Sequence, residues 1–255
     1  MRPEHPVVLI TGASSGFGEA MARTLAAEGC HLALGARRVE RVQALAQELA
    51  KAHGVKVFAG AVDTRHTASV DTFVAEAAKD LGALHVIVAN AGLASGTFKM
   101  WETPDEDLEA MVRTNIEGVV KTVRAALPYV RKAGWGHVFF IGSVAGHQAY
   151  EGGSVYCATK FGVKAMAQSL RLELNGEPIR VTSVDPGMAE TEFSNVRLKD
   201  GAKAAAVYQG VKPLSAMDVA ECVRWCLMLP DHVNIDQMIV KCVDQAAAHK
   251  VHRKG

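Results

Sequence analysis

Two residues able to carry out acid–base chemistry, Tyr156 and Lys160, lie one helical turn apart in the segment Tyr-Cys-Ala-Thr-Lys. On a helix both side chains project from one face. A phenol has an ordinary pKa of about 10, and a nearby positive charge favours the phenolate. We therefore predict that Tyr156 transfers a proton and that Lys160 lowers the pKa of the phenol. The spacing alone fits an ordinary pair on a helix surface equally well.

A glycine-rich turn, Thr-Gly-Ala-Ser-Ser-Gly-Phe-Gly over residues 11–18, follows the apolar run 7–10. Glycine tolerates positive φ, and without a Cβ it lets a ligand or a helix approach the backbone. A helix N-terminus attracts phosphate through its unpaired N–H groups. The spacing is not Gly-x-Gly-x-x-Gly, so a loop without a ligand is the alternative. The residues predicted to bind pyrophosphate are Gly12, Ser14, Ser15, Gly16, Phe17 and Gly18.

The end of the second predicted strand indicates which dinucleotide binds. Proteins that use NAD usually place an acidic residue there to bond the ribose 2′-hydroxyl. This chain has Ala36, followed by Arg37 and Arg38. Guanidinium groups bind a phosphate in a bidentate manner, so the sequence predicts NADP(H). The alternative is that both arginines cap a solvated helix start.

Composition restricts the class of protein. The chain has 255 residues, 49% of them apolar, and a net charge of +1, which provides no global field for nucleic acid or a membrane surface. The five cysteines are scattered along the chain; this is typical of free thiols in a reducing cytoplasm. Cys222 and Cys226 would share a helix face, but no nearby His or Cys completes a zinc set, so no metal is expected. We expect no signal peptide before the first strand.

Strand and helix patterns alternate along the chain. This alternation predicts an α/β fold: a single doubly wound, seven-stranded parallel Rossmann-type sheet with helices on both faces. We expect one dinucleotide-binding and catalytic domain over residues 1–255. The polar region 188–214 is interpreted as a substrate lid, and the basic tail 249–255 as disordered. The predicted strands are 7–11, 31–36, 55–61, 85–89, 137–142, 179–184 and 237–241; the predicted helices are 17–28, 38–53, 67–80, 105–133, 155–175 and 216–228.

Ligands of such sheets bind at the carboxyl ends of the strands. Small or polar residues follow strands three to six here. These residues are Asp63 and Thr64; Asn90, Ala91 and Gly92; Gly142 and Ser143; and Asp185, Pro186 and Gly187.

Together these motifs resemble the short-chain dehydrogenase/reductase family over almost the whole chain. The resemblance implies an Asn–Ser–Tyr–Lys active site: Asn115, Ser143, Tyr156 and Lys160. In that family the serine bonds the substrate oxygen, and the asparagine holds a water that connects the lysine with solvent. The resemblance also implies a homotetramer. Further cofactor contacts are implied for Asp63 (to the adenine amino group), Thr64, Asn90, Ala91, Gly92, Pro186, Gly187, Met188 and Thr191. One departure is Ala89, where many members have a second Asn.

Segments 186–197 and 230–236 resemble the NADP-dependent 3-hydroxy acid dehydrogenases within that family. A small hydroxy acid needs a cation for its carboxylate, and Arg197 is predicted to supply it. Phe193 lies one turn earlier and could exclude water when the lid closes. The alternatives are a general NADPH-dependent carbonyl reductase, in which Arg197 is a solvated lid residue, and a non-catalytic NADP(H)-sensing protein. The intact Tyr156, Lys160 and Ser143 argue against a sensor.

Overall fold

Seven parallel strands form one sheet in the computed structural model, which describes residues 1–254. The strand order is β3-β2-β1-β4-β5-β6-β7, so the chain reverses its direction of winding between β1 and β4. The strands are β1 (Val7–Thr11), β2 (His31–Ala36), β3 (Val57–Ala61), β4 (Val86–Ala89), β5 (Gly136–Ile141), β6 (Ile179–Pro186) and β7 (Gln237–Val240).

Helices cover both faces of this sheet, which confirms the predicted doubly wound fold. Side chains alternate along β1: Val8 and Ile10 pack into the core on one face, and Val7 and Leu9 into the core on the other. This double burial explains why the strand is a continuous apolar run. The first core contains residues of α1 (Gly16–Ala27), α2 (Val39–His53) and α9 (Ala216–Met228); the second contains residues of α3 (Thr67–Leu81), α5 (Gly118–Ala133) and α6 (Ser154–Glu173).

The predicted helix 105–133 is divided into three parts. The helix α4 (Asp105–Val112) passes into a π-helical turn (Arg113–Glu117), and α5 follows directly. A π-turn widens the helix by one residue and is frequent at functional sites. Asn115 lies within this turn, so the irregularity occurs at a predicted catalytic residue.

The predicted lid contains two short helices, α7 (Glu192–Leu198) and α8 (Gly201–Ala206). Between them Lys199 adopts a left-handed conformation with φ of 52°. The carboxylate of Asp200 then caps α8 by accepting hydrogen bonds from the amides of Ala202 and Lys203, at 3.0 and 3.2 Å.

The prediction of a disordered tail is wrong for residues 249–254, whereas Gly255 lies outside the described residues. Within the tail, β9 (Lys250–Val251) pairs with β8 (Gln245–Ala247) in an antiparallel hairpin. Backbone hydrogen bonding holds this segment, which apolar periodicity does not reveal. The Arg253 guanidinium also donates to the carbonyl oxygens of Gln209, at 2.6 Å, and Val207, at 3.0 Å, so the tail is fastened to the end of the lid.

All five cysteines are unpaired thiols. Burial raises the pKa of Cys30 to about 12 and that of Cys226 to about 11, so these two thiols are packed as small apolar side chains. Within residues 1–254, no helix combines the length and the apolar character needed to cross a membrane.

Candidate active site

A cavity of about 520 Å³ opens at the carboxyl edge of the sheet. It lies where the winding direction reverses, which is the usual ligand position in such sheets. Its walls join the predicted phosphate-binding residues to the predicted catalytic pair. They include Gly12, Ser14, Ser15, Gly16, Phe17, Arg37, Arg38, Asp63, Thr64, Asn90, Ala91, Gly92, Tyr156, Lys160 and Thr191.

The glycine turn has the conformation that phosphate binding requires. Gly12 and Gly16 have φ of +69° and +56°, which favours glycine. The helix α1 begins directly after Ser15, whose side chain does not cap it. The amides of its first turn therefore have no side-chain partner from Ser15 at the end of the helix that borders the cavity. Gly18 does not line the cavity. A Cβ on Gly18 would lie 2.3 Å from the Gly12 oxygen, so this glycine allows α1 to pack against the turn.

Asn90 connects the glycine turn to the end of β4. Its Nδ2 donates to the carbonyl oxygens of Thr11 and Gly12, at 2.8 and 3.3 Å. The Thr11 hydroxyl in turn accepts from the amides of Asn90 and Ala91, both at 3.2 Å. Asn90, which was predicted to contact the cofactor, therefore also fixes the glycine turn.

The two arginines after β2 differ in their surroundings. Arg38 donates to the hydroxyls of Ser14 (3.2 Å) and Ser15 (2.7 Å) and pairs with Glu192 of the lid at 2.9 Å. Arg37 lines the cavity without a side-chain partner within residues 1–254. No carboxylate occupies the end of β2, because Ala36 is the residue there. A 2′-phosphate therefore fits beside Arg37 and the two serines.

Glu192 begins α7 and holds two arginines. Its second oxygen pairs with Arg41 at 2.8 Å, and these cations lower the pKa of Glu192 to about 2. Elsewhere in the cavity lining, Arg65 donates to the Asp63 carboxylate and lowers its pKa to about 2. Asp63 is thus an ionised acceptor already bonded within the protein.

Tyr156 and Lys160 both project from α6 and are buried, with 9% and 8% exposure. The Lys160 ammonium donates to the carbonyl oxygen of Ile141 at 2.8 Å and lies 5.8 Å from the centre of the Tyr156 ring. Burial lowers the pKa of Lys160 to about 8, against an opposing effect of Asp185.

The expected lowering of the Tyr156 pKa is wrong for the protein chain alone. Burial raises the pKa of this phenol above its usual value, and the effects of Ser143 and Arg197 in the other direction are smaller. Removal from water disfavours the phenolate, and the Lys160 ammonium is directed to a backbone carbonyl instead of the phenol.

Asn115 clamps two segments of the site together. Its Nδ2 donates to the Leu93 oxygen at 2.7 Å and to the Thr159 hydroxyl at 3.1 Å, and its Oδ1 accepts from the Leu93 amide at 2.9 Å. The side chain is therefore fully bonded within the protein. Gly92 leaves room for this contact: a Cβ there would lie 3.3 Å from Asn115 Oδ1 and 3.7 Å from Lys160 Nζ.

A second cavity, of about 220 Å³, adjoins Tyr156 and Ser143. The Ser143 hydroxyl accepts a hydrogen bond from the Ala145 amide at 3.1 Å. Ser143 thereby caps the start of a 3₁₀ turn at Val144–Gly146. Much of its lining comes from region 188–214, which was predicted to cover the substrate. Its lining includes Pro186, Gly187, Met188, Thr191, Phe193 and Arg197; the first three line only this cavity, whereas the sequence had suggested them as cofactor contacts.

Arg197 lies beside Tyr156, the predicted acid–base residue. Its guanidinium carbon is 5.9 Å from the centre of the Tyr156 ring and 5.5 Å from that of Tyr150. The side chain donates to the Tyr150 hydroxyl and to the Gly96 oxygen, both at 3.1 Å. Phe193 packs 5.7 Å from the Tyr156 ring. The structure thus places Arg197 and Phe193, the two predicted substrate residues, beside the Tyr156 ring.

The site also contains residues that were not identified from the sequence, and four of them make notable contacts. Tyr150 and Gln245 line the second cavity, Arg65 lines the first, and Glu192 joins the lid to the arginines. Arg65 follows Asp63 closely enough for a local ion pair to be a usable signal. The other contacts span long separations in sequence, and no local pattern reports them.

The topology, the glycine turn and the buried Tyr156–Lys160 pair define an oxidoreductase with a Rossmann-type sheet. The chain belongs to the short-chain dehydrogenase family, whose sequence profile matches residues 6–201. It is 39% identical over 251 residues to the NADP-dependent 3-hydroxy acid dehydrogenase YdfG of Shigella flexneri, covering 97% of this chain and 100% of that protein.

Two further comparisons extend this result. Sulfoacetaldehyde reductase 2 of Chromohalobacter salexigens is 40% identical over 242 residues, 94% of this chain and 95% of that protein. The solved closed form of a serine dehydrogenase complexed with NADP⁺ superposes with a TM-score of 0.90 at 39% identity, covering 97% of this chain and 100% of that chain.

Replacing Gly18 with Ala should lower the free energy of unfolding by about 1–3 kcal/mol, because the new methyl group collides with the Gly12 oxygen. Cofactor affinity should fall as well, since the turn must shift. Gly201→Ala is the matched control: no atom lies within 4 Å of a Cβ there. Denaturant unfolding and cofactor fluorescence titration measure both effects. Equal stability of the two variants would contradict this account of the turn.

Proposed function

We propose that this protein is an NADP-dependent oxidoreductase that transfers a hydride between nicotinamide and a small alcohol or carbonyl substrate, with short 3-hydroxy acids as the favoured class. One observation carries the proposal. The second cavity brings Tyr156 and Ser143 together with the guanidinium group of Arg197. The acid–base group Tyr156 and the cation Arg197 therefore border the same cavity, which suits a small anionic substrate.

The first cavity supplies the cofactor site. Gly12, Gly16 and the α1 N-terminus would receive the pyrophosphate, and Arg37, Arg38 and the two serines the 2′-phosphate. The relatives named for NADP support this choice. Asp63, Thr64 and residues 90–92 would border the adenosine, and Thr191, between the two cavities, the nicotinamide end.

The chemistry divides between cofactor and protein. The nicotinamide, when bound, accepts or supplies the hydride. Tyr156 gives its phenol proton to the carbonyl oxygen during reduction, and takes the hydroxyl proton during oxidation. Ser143 donates a hydrogen bond to the same substrate oxygen, and Lys160 stabilises the phenolate by its charge. Because Asn115 bonds Leu93 and Thr159 through its side chain, its proposed part in proton exchange depends on the backbone of the π-turn.

Arg197 is proposed to hold the substrate carboxylate. It is half-buried and already oriented by Tyr150 and Gly96, so less side-chain entropy is lost on binding. The similarity to a sulfoacetaldehyde reductase fits the same argument, because a sulfonate and a carboxylate offer similar oxygens. Phe193 beside Tyr156 would exclude water from the reacting atoms.

A general NADPH-dependent carbonyl reductase is the second candidate. It is favoured by the bonding of Arg197 to Tyr150 and Gly96, because a residue so engaged could simply hold the lid in place. A non-catalytic NADP(H) sensor is a weaker alternative, since the acid–base pair and Ser143 are intact and lie together.

The proposal includes a homotetramer in the cytoplasm, with residues 1–255 as one catalytic domain. Large apolar side chains remain exposed on two separate faces of the protomer, and a tetramer with two kinds of contact would cover both. They are Val120 and Phe161 on α5 and α6, and Trp225 and Ile239 on α9 and β7. Unpaired cysteines suit a reducing compartment.

Tyr156→Phe tests the reaction itself. The change keeps the ring against Phe193 and removes the proton donor, so turnover should fall by about 10²–10⁴-fold. NADPH consumption and NADP⁺ reduction are followed spectrophotometrically over a panel of ketones, aldehydes and hydroxy acids. NADPH affinity serves as the control and should change little. Near-normal turnover of the variant would refute the proposed mechanism.

Arg37→Ala tests the cofactor assignment with little structural disturbance, since Arg37 lines the cavity without a partner in the described chain. The ratio of kcat/KM for NADPH over NADH should fall at least about tenfold, the scale of one lost charged hydrogen bond. Arg41→Ala is the control, because Arg41 also pairs with Glu192 but does not itself line the cavity. An unchanged ratio in Arg37→Ala would rule out the 2′-phosphate contact.

Arg197→Gln tests the substrate class, because the amide can still donate to Tyr150 or Gly96 while the charge is lost. We expect kcat/KM for short 3-hydroxy acids to fall by about 10–100-fold and that for an uncharged ketone to change by less than about threefold. Lys199→Gln, which removes an exposed lid cation, is the matched control. Equal losses for both substrates would make Arg197 a purely structural residue and favour the general reductase.

A further inference from the structure

Asp185 is a buried carboxylate that has no part in the reaction described above. It lies near the end of β6 with 1% exposure, directly before Pro186 and Gly187 of the second cavity. A carboxylate in such a position is costly unless hydrogen bonds and opposite charges stabilise it. The groups that surround Asp185 therefore indicate what it does.

Three side chains bond this carboxylate. Oδ1 accepts from the Ser183 hydroxyl at 2.6 Å, and Oδ2 accepts from Gln237 Nε2 at 2.7 Å. His147 Nε2 lies 2.7 Å from the same Oδ2. The bonds come from β6, from β7 and from the loop after β5, so the carboxylate is fixed on several sides.

Two of the neighbours of Asp185 flank the segment that carries Ser143. On one side, a Cβ added to Gly142 would lie 1.8 Å from Asp185 Oδ1, so the carboxylate packs directly against this backbone. On the other side, His147 ends the 3₁₀ turn that Ser143 begins. A shift of the carboxylate would therefore be transmitted to both ends of the catalytic serine segment.

The same carboxylate acts on Lys160. The Lys160 ammonium donates to the Ile141 oxygen at 2.8 Å, and Asp185 packs against Gly142, the next residue of the chain. The negative charge of Asp185 raises the pKa of Lys160, although burial has the larger, opposite effect. The cationic groups around Asp185 are Lys160 from α6 and, through His147, the Lys164 ammonium, which lies 3.3 Å from His147 Nδ1. Lys160 itself is faced by Tyr156 on its own helix and by the neutral Asn115 near Gly92.

We propose that Asp185 is a positioning residue that holds the segment bearing Ser143 in place and sets a fixed negative charge against the strand end to which Lys160 is bonded. This role rests on the proposed function, since it serves the Ser143–Tyr156–Lys160 site. Removing a nearby negative charge makes every neighbouring proton easier to lose. The titration of Lys160 therefore reports the role directly, whether or not a substrate is known.

Asp185→Asn keeps the size of the side chain and removes the charge. With ε-¹³C-lysine in the protein, the NMR titration of Lys160 is assigned by comparison with Lys160→Gln. Its midpoint, about 8 in the unaltered protein, should move to lower pH by about 1 unit. With NADPH and a carbonyl substrate, the alkaline limb of kcat/KM should move in the same direction, and kcat below that limb should fall, while NADPH affinity stays unchanged.

Two other variants separate charge from structure. Ser183→Ala removes a hydrogen bond to the carboxylate but keeps its charge, so stability should fall while the Lys160 midpoint stays in place. Gln237→Lys places a cation against Asp185 from the half-buried strand β7, and this cation offsets the negative charge of the carboxylate. It should therefore lower the Lys160 midpoint, and it provides the same test if Asp185→Asn does not fold. An unmoved midpoint in the folded charge variants overturns the inference. A midpoint that moves in a protein without reductase activity supports it and refutes only the proposed function.

Discussion

The burial of a single ammonium group, that of Lys160, constrains most of the site. A buried cation needs a carbonyl or carboxylate nearby, and the end of β5 provides the Ile141 oxygen. This contact fixes α6 against the carboxyl edge of the sheet and so fixes the Tyr156 ring beside the cofactor cavity. Gly146 allows this approach, because a Cβ there would lie 2.7 Å from the Lys160 oxygen.

The acid–base properties of Tyr156 follow from the same burial. Burial raises its pKa and lowers that of Lys160, so in the protein alone burial disfavours the charged form of each group. Charges that arrive with the cofactor and substrate then act on two groups that are both easily perturbed. The Arg197 guanidinium, 5.9 Å from the centre of the Tyr156 ring, already lowers the pKa of this phenol, but by less than burial raises it.

The sequence predicted the sheet and most of the helices that cover it where local pattern carries the information, and it placed Tyr156 and Lys160 on one helix. Continuous apolar runs indicated strands that are buried on both faces, and the spacing of Tyr156 and Lys160 indicated that they share a helix face. Patterns of this kind could not predict the ordered tail, which is held by backbone bonds and by Arg253. Nor could they show that burial, rather than Lys160, dominates the pKa of Tyr156, because burial depends on the whole fold.

Arg38 belongs at once to the glycine turn, through Ser14 and Ser15, and to the lid, through Glu192. Redesign of cofactor preference by replacing this arginine would therefore loosen the first helix of the lid as well. A variant obtained in that way would change its contacts with the nucleotide and the ion pairs of α7 together. Arg37, which lacks these contacts, is the position at which nucleotide choice can be altered while α7 keeps its ion pairs.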